Sequence, residues 1–217
     1  MPTIRPATSE DAGFIARNIL AAQRGHRPRG WFDIALGWPE PQCLAFVERI
    51  ATAETRSWWH VSHFLVADVD GAPVAALCAL PAAGTGAAAR AAIAETADAT
   101  GLGAAELAAI FQRAAYARSC WVQGGHGDWL LEHVGVLPAC RGQGLVQALI
   151  ARALDLGRAA GFARATITFL IGNEPAERCY AKAGFALAEE KRDPAFEALT
   201  GAPGFRCVAR ADRKSVV

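Results

Sequence analysis

One run constrains this chain more than any other: His133-Val134-Gly135-Val136-Leu137-Pro138-Ala139-Cys140-Arg141-Gly142-Gln143-Gly144-Leu145. Its apolar first part predicts a buried β-strand, residues 141–144 predict a glycine-rich turn, and the spacing beyond predicts a helix. Leu145, Val146, Leu149, Ile150, Ala153, Leu154 and Leu156 share one face of that helix, opposite Gln147, Arg152, Asp155 and Arg158. A strand that enters a helix through glycines aims unpaired backbone N–H groups at one point, the positive end of the helix dipole. Gly142 and Gly144 have no Cβ to hold a ligand off that backbone. The unit predicts an anion site suited to phosphate, although so short a turn can also be a plain connection. It lacks the Gly-Lys-Ser/Thr of a triphosphate loop and the Gly-x-Gly-x-x-Gly of a dinucleotide fold.

A second unit lies downstream. Residues 164–171 alternate like a half-buried strand, and Gly172-Asn173 breaks it. Glu174-Pro175 opens a helix that passes through Tyr180 and stops at Gly184, and Phe185 begins another strand.

The string Arg141-Gly142-Gln143-Gly144-Leu145-Val146 resembles motif A of the GNAT superfamily, the acetyl-CoA-dependent N-acetyltransferases, whose pattern is Gln/Arg-x-x-Gly-x-Gly/Ala. Val146 departs from it, standing where the family has Gly or Ala. Asn173, Ala176, Tyr180, Lys182, Gly184 and Phe185 are similar in type and spacing to the family's C-terminal signature. The resemblance implies an α/β fold: one GNAT-like domain with a mixed, mostly antiparallel central sheet splayed at the motif A strand and helices on both faces. It implies acetyl-CoA as co-substrate, its pyrophosphate held by the turn from Arg141 through Gly142, Gln143, Gly144 and Leu145 to Val146. It also implies that backbone groups of Val134, Gly135 and Val136 meet the pantetheine arm, that Asn173 contacts the cofactor, and that Tyr180 protonates the departing thiolate. On its own, Tyr180 also reads as a helix tyrosine with its ring in the core.

Acetyl transfer to nitrogen needs a neutral amine. Freeing the lone pair of a lysine-like amine costs about 4.6 kcal/mol at pH 7, against about 1.4 kcal/mol for an α-amino group near pKa 8. A general base therefore matters most for the first kind of acceptor. Glu132 is the candidate, at a strand position where many family members carry a base or a water-relay residue. A regular pleat places it on the face of Leu130, Val134 and Val136, with His133 on the other. A charge in that company is costly without a partner or a task. The other reading is a carboxylate solvated or paired at a strand end. Asp128 and His126, in the loop before the strand, are reserve candidates.

At 217 residues and 53% hydrophobic, the chain can bury one large core, so a single domain over residues 1–217 is expected. A net charge of +1 without like-charge runs argues against nucleic acid or an anionic membrane as partner. Six scattered cysteines without CxxC or Cys/His ligand spacing predict free thiols, a reducing cytoplasmic location and no metal. No apolar run precedes Ser9-Glu10-Asp11, so no signal peptide is expected. Residues 71–89 carry no charge, but Pro73, Pro81, Gly84 and Gly86 interrupt them, which excludes a membrane span there.

Elsewhere, residues 3–6 read as an edge strand, and Thr8 with Asp11 opens a helix to Leu20. A helix is expected at 41–52 and a hairpin at 63–69 and 74–80 around Asp70-Gly71. Closing strands are expected at 185–190 and 205–209. Residues 82–127 form an alanine-rich insertion of two helices broken at Gly101-Leu102-Gly103, with Leu107, Ile110, Phe111 and Ala114 as a packed stripe. It can cap the acceptor side of the cleft, brace the fold, or serve as a homodimer contact. The acceptor is expected to be a small-molecule or peptide amine. The loop with Arg24, Arg27, Arg29, Trp31 and Phe32, with Trp58-Trp59-His60, can clamp an anion and wall an apolar body. The same residues also read as solvated arginines and core tryptophans. A non-catalytic acyl-CoA-binding module is the competing class.

Overall fold

The computed structural model describes residues 2–211. Its strands are β1 (Thr3–Pro6), β2 (Phe64–Val69), β3 (Ala72–Pro81), β4 (Trp129–Val136), β5 (Arg164–Leu170), β6 (Ala186–Arg192) and β7 (Gly204–Ala211). They form one seven-stranded sheet in the order β1-β2-β3-β4-β5-β7-β6. Every neighbouring pair is antiparallel except β4 and β5. Asp70 and Gly71 turn β2 into β3 with φ of 52° and 80°, the two positive values that a tight hairpin turn requires.

The helices are α1 (Ala12–Arg24), α2 (Trp31–Leu36), α3 (Glu40–Ala51), α4 (Thr85–Ala99), α5 (Ala104–Ala114), α6 (Leu145–Ala159), α7 (Glu174–Lys182) and α8 (Pro194–Thr200). Period-2 alternation in the strands sends side chains to two cores. On one face Ile15, Ile19, Phe46, Ile50 and Ile110 pack on Phe64, Cys78 and Leu130. On the other, Leu149, Ile150 and Tyr180 pack on Leu65, Leu77, Leu131 and Ile167. Each such side chain contributes about 1.5–3 kcal/mol on burial, so the sheet is held from both faces.

Two local devices fix elements near the site. Gly157 of α6 lies under Trp129, where a Cβ would come within 2.7 Å of the indole, and Trp129 Nε1 donates to the Ala153 carbonyl at 2.9 Å. This close approach seats α6 on β4. At the start of α1, Arg5 pairs with Asp11 at 2.7 Å and with Asp68 at 2.6 Å, joining β1, β2 and the helix. Arg5 accordingly holds the Asp11 carboxyl below its ordinary range.

The insertion splits into α4 and α5 at Gly101-Leu102-Gly103 as expected. The sequence reading leaves out α2 and α8. Helix α8 is nonetheless signalled: Asp193 accepts from the Phe196 N–H at 2.7 Å, Pro194 follows, and Gly201 ends the helix at φ 76°. Helix α2 has only six residues, too short for its periodicity to register.

Candidate active site

Strand β4 pairs with β5 only through Trp129, Leu130 and Leu131, and the two then part. Its other edge stays on β3 as far as Val136, with a register shift between Ala76 and Cys78. The extra residue lies at His133, whose φ of 50° is left-handed. A non-glycine residue there costs on the order of 1–3 kcal/mol and needs support from its surroundings. Asn18 of α1 supplies it, donating from Nδ2 to the His133 carbonyl at 2.6 Å.

This bulge overturns the regular-pleat expectation. Glu132 sits opposite Cys78 on the α1–α3 face, and His133 joins it there, stacked on Phe64 (6.1 Å, 14°) and edge-on to Trp58 (6.2 Å). Val134 and Val136 pack instead with the core under α6. Glu132 therefore does not share a face with the two valines, and His133 does not point away from it. One inserted residue reverses every later side chain.

The parted strands open into a cavity of about 1250 Å³. Glu132, Val134, Gly135 and Val136 line it, as do the turn residues from Arg141 to Val146, with Asn173 and Tyr180 of the second unit. The structure thus brings Glu132, Tyr180 and every residue expected to hold the cofactor to one space. Glu132 is 9% exposed, its Oε1 has no hydrogen-bond partner, and loss of water alone pushes its pKa up to about 8. Tyr180 packs edge-on against Phe169 at 5.4 Å. Burial raises its phenol well above the ordinary value, with the neighbouring Cys179 and Glu132 adding to the rise, so Tyr180 keeps its proton. His133 Nε2 is buried without a partner, and desolvation lowers its pKa to about 3, leaving a neutral imidazole.

In the turn, Gly142 and Gly144 take φ of 78° and 76°, and nothing lies within 4 Å of where a Cβ would stand on either. Glycine is needed here for the backbone angle and leaves the approach open. Gly144 caps α6 without a side chain, so the first-turn amides keep their hydrogens for a ligand. That open, N–H-rich cradle fits a pyrophosphate. Val146 lines the cavity while packing with the core beneath α6. Gln147 donates from Nε2 to the Cys179 carbonyl at 2.8 Å, tying the turn's helix to the helix of Tyr180. Asn173 caps α7, its Oδ1 accepting from the Ala176 N–H at 3.4 Å.

The far side of the cavity belongs to the first loops, the insertion and α8. Trp31, Trp58 and Trp59 line it, as does Arg29. The other early candidates do not. Arg24 is engaged by Asp33 at 2.6 Å and Glu40 at 2.9 Å, and Phe32 is fully buried core. His60 bonds Ser62 at 2.7 Å outside the lining, and Arg27 also lies outside it. Neither reserve candidate reaches the cavity: Asp128 accepts from Arg164 at 2.8 Å and from the Gly125 N–H at 2.7 Å, and His126 is exposed. Asn18, Tyr116, Trp121, Phe196 and Phe205 also line the cavity and were not anticipated. They come from separate segments that no local pattern connects. Among the described residues, no group of three or more His, Cys, Asp or Glu is placed to hold a metal ion, and no helix is long and apolar enough to cross a membrane.

Together, the parted sheet and the glycine cradle make this an acyltransferase scaffold. The chain belongs to the GNAT acetyltransferase family, whose model, described as Acetyltransferase (GNAT) family, matches residues 31–185. No curated protein matches the chain by sequence. Solved structures share the fold. One is an acetyltransferase with a TM-score of 0.70 and 18% identity, covering 96% of this chain and 98% of that one. Another is an N-acetyltransferase from Staphylococcus aureus Mu50, with a TM-score of 0.67 and 17% identity over 96% of this chain and 100% of that one. An agmatine N-acetyltransferase mutant in its apo form aligns with a TM-score of 0.58 and 16% identity, over 97% of this chain and 99% of that one.

Proposed function

We propose that this protein transfers the acetyl group of acetyl-CoA to the amine of a small molecule or peptide, by direct attack within a ternary complex. The observation that carries this reading is the convergence of Glu132 and Tyr180, two buried groups on different elements, on the cavity that also holds the glycine cradle. Bound acetyl-CoA supplies the activated thioester carbonyl. The amides from Arg141 to Val146 hold its pyrophosphate, and the β4 backbone at Val134, Gly135 and Val136, which has no strand partner on the β5 side, receives the pantetheine arm. Asn173 borders the same arm from the start of α7.

Glu132 accepts the proton of the acceptor ammonium. A carboxylate poised near pKa 8 is a far better base than an ordinary glutamate, and it still ionises near neutrality. The freed nitrogen forms the new C–N bond as the C–S bond breaks. Backbone N–H groups of β4 face the oxygen where negative charge develops. Tyr180 delivers its proton to the leaving CoA sulfur and is restored by the second proton that the nitrogen sheds as the amide forms, while Glu132 passes the first amine proton to solvent.

The test couples calorimetry with coenzyme A to a thiol-release assay over a panel of amines. Saturable CoA binding with amine-dependent thiol release supports transfer. Binding without release supports the module reading instead, and no binding at millimolar CoA removes both.

A further inference from the structure

The acceptor half of the cavity is walled by an unbroken series of aromatic rings. From His133 the ring centroids step 6.2 Å to Trp58, 5.8 Å to Trp121 and 5.2 Å to Phe205. The series continues 5.1 Å to Phe196 and 5.5 Å to Tyr116. Trp59 adjoins Trp58 at 5.6 Å, and Trp31 adjoins Trp59 at 5.8 Å. All of these residues line the cavity, and the series starts beside Glu132. A ligand lying along it meets flat apolar surface for most of its length.

The polar groups in this wall are biased towards donors. The indole nitrogens of Trp58 and Trp59 are buried and have no acceptor. At the Tyr116 end the cavity is lined by Arg118 and by Arg29, whose charge is felt at the Tyr116 hydroxyl together with the opposing charge of Asp33, a carboxylate outside the lining that Arg24 already holds. Neither arginine has an ion-pair partner among the described residues. Glu132 is the one carboxylate among the lining residues, and it lies at the opposite end of the series.

We propose that the acceptor is an amine on an aromatic or large apolar body with an anionic group at its far end. Its nitrogen meets Glu132, its body lies along the ring series, and its anion is held by Arg29 and Arg118. This rests on the acetyl-transfer reading above and narrows it. A polycationic acceptor would set its second positive charge against two arginines with no carboxylate to receive it.

The experiment compares matched amines that differ only in a carboxylate: 4′-(aminomethyl)biphenyl-4-carboxylate and its terphenyl homologue, long enough to run along the ring series, against the same amines without the carboxylate, and phenylalanine against phenethylamine, with agmatine and spermidine alongside. Acetylation is followed by thiol release. Binding to the CoA-saturated protein is followed by tryptophan fluorescence, since four of the six tryptophans line the cavity. The expected result is that at least one of the two long carboxylates surpasses its uncharged counterpart roughly tenfold or more in kcat/KM, through charge-assisted contacts. The ratio should shrink towards one in the double variant Arg29→Ala/Arg118→Ala and recover in part with Arg118→Lys. Equal or better turnover of both uncharged counterparts, or a preference for agmatine or spermidine, overturns the proposal while leaving acetyl transfer intact. A carboxylate effect confined to the phenylalanine pair overturns the far-end placement. Binding of a long carboxylate over its uncharged counterpart without acetylation supports the ligand class and removes the transfer reading. Absence of binding by any carboxylated member overturns the proposal.

Discussion

Asn18 on α1 donates its side-chain amide to the carbonyl of His133, 2.6 Å away on β4, where the backbone is left-handed. The same Asn18 fills the space above Gly135, where a Cβ would lie 2.1 Å from Oδ1. The first helix thus clamps the bulge that turns Glu132 and His133 to one side of the sheet.

From this clamp, Asn18→Ala should cost about 1–2 kcal/mol of stability, read from the urea midpoint, because a buried carbonyl loses its donor. Gly135→Ala should cost at least as much in the wild-type background and less when Asn18 is already Ala, since the atom it strikes is then gone. Additive effects in this double-mutant cycle would show that the two residues do not share one constraint.

The two buried titratable neighbours set a pH profile. Glu132 has a folded pKa of about 8 against 4.5, so the folded state retains a proton that the unfolded chain releases, and stability falls as pH rises between those values. His133 has a folded pKa of about 3 against 6.5, so stability falls as pH drops from 6.5 towards 3. Between 4.5 and 6.5 the two slopes oppose each other. Replacing Glu132 by Gln should therefore stabilise the protein by about 1.4 kcal/mol per pH unit across the window from 4.5 to about 8, measured as the difference in unfolding free energy from wild type. A difference that stays flat with pH would mean that Glu132 is ionised inside the fold.

Activity should follow the same carboxylate. In wild type, kcat/KM should climb with pH through about 8 and then level, until the amine or Tyr180 intervenes. The limb should vanish in Glu132→Gln, with the plateau lowered roughly a hundredfold or more. A limb retained at the same pH in the variant assigns it to the acceptor amine.

Tyr180→Phe should lower kcat by roughly a hundredfold or more while CoA affinity in calorimetry stays near wild type, since the ring packs on Phe169 and only the hydroxyl is lost. The loss should shrink with a thioester whose thiol is more acidic and needs no proton on leaving. An equal loss with both thioesters would make Tyr180 a packing residue.

Gly144→Ala meets no atom within 4 Å, so its cost is the backbone angle alone, about 1–2 kcal/mol at φ 76°. It should appear as a higher KM for acetyl-CoA, with kcat changed little. An unchanged KM would place the pyrophosphate elsewhere.

The glycine turn, the Asn173–Tyr180 helix and the split insertion were readable because each rests on local chemistry: a positive φ, a capping side chain, a helical period. The orientation of Glu132 was not, because the bulge falls inside an otherwise regular strand run that no glycine or turn pattern interrupts at His133, and its support comes from Asn18, far away in the chain. The arginines of the first loop were legible as a group but not in their duties. Only the fold shows that Arg24 is spent on Asp33 and Glu40 while Arg29 reaches the cavity. The ring wall is assembled from His133, Trp58, Trp121, Phe205, Phe196 and Tyr116, which packing alone brings side by side.

The brief contact between β4 and β5, limited to three residues on each strand, has a thermodynamic meaning. Past it, β4 and β5 share no ladder pairs, and a ligand seated between them would supply rungs that the chain does not. On the proposed reading, a cofactor seated there at a hundred times Kd should add about 2.7 kcal/mol to unfolding, so that cofactor supply and resistance to denaturation would rise and fall together.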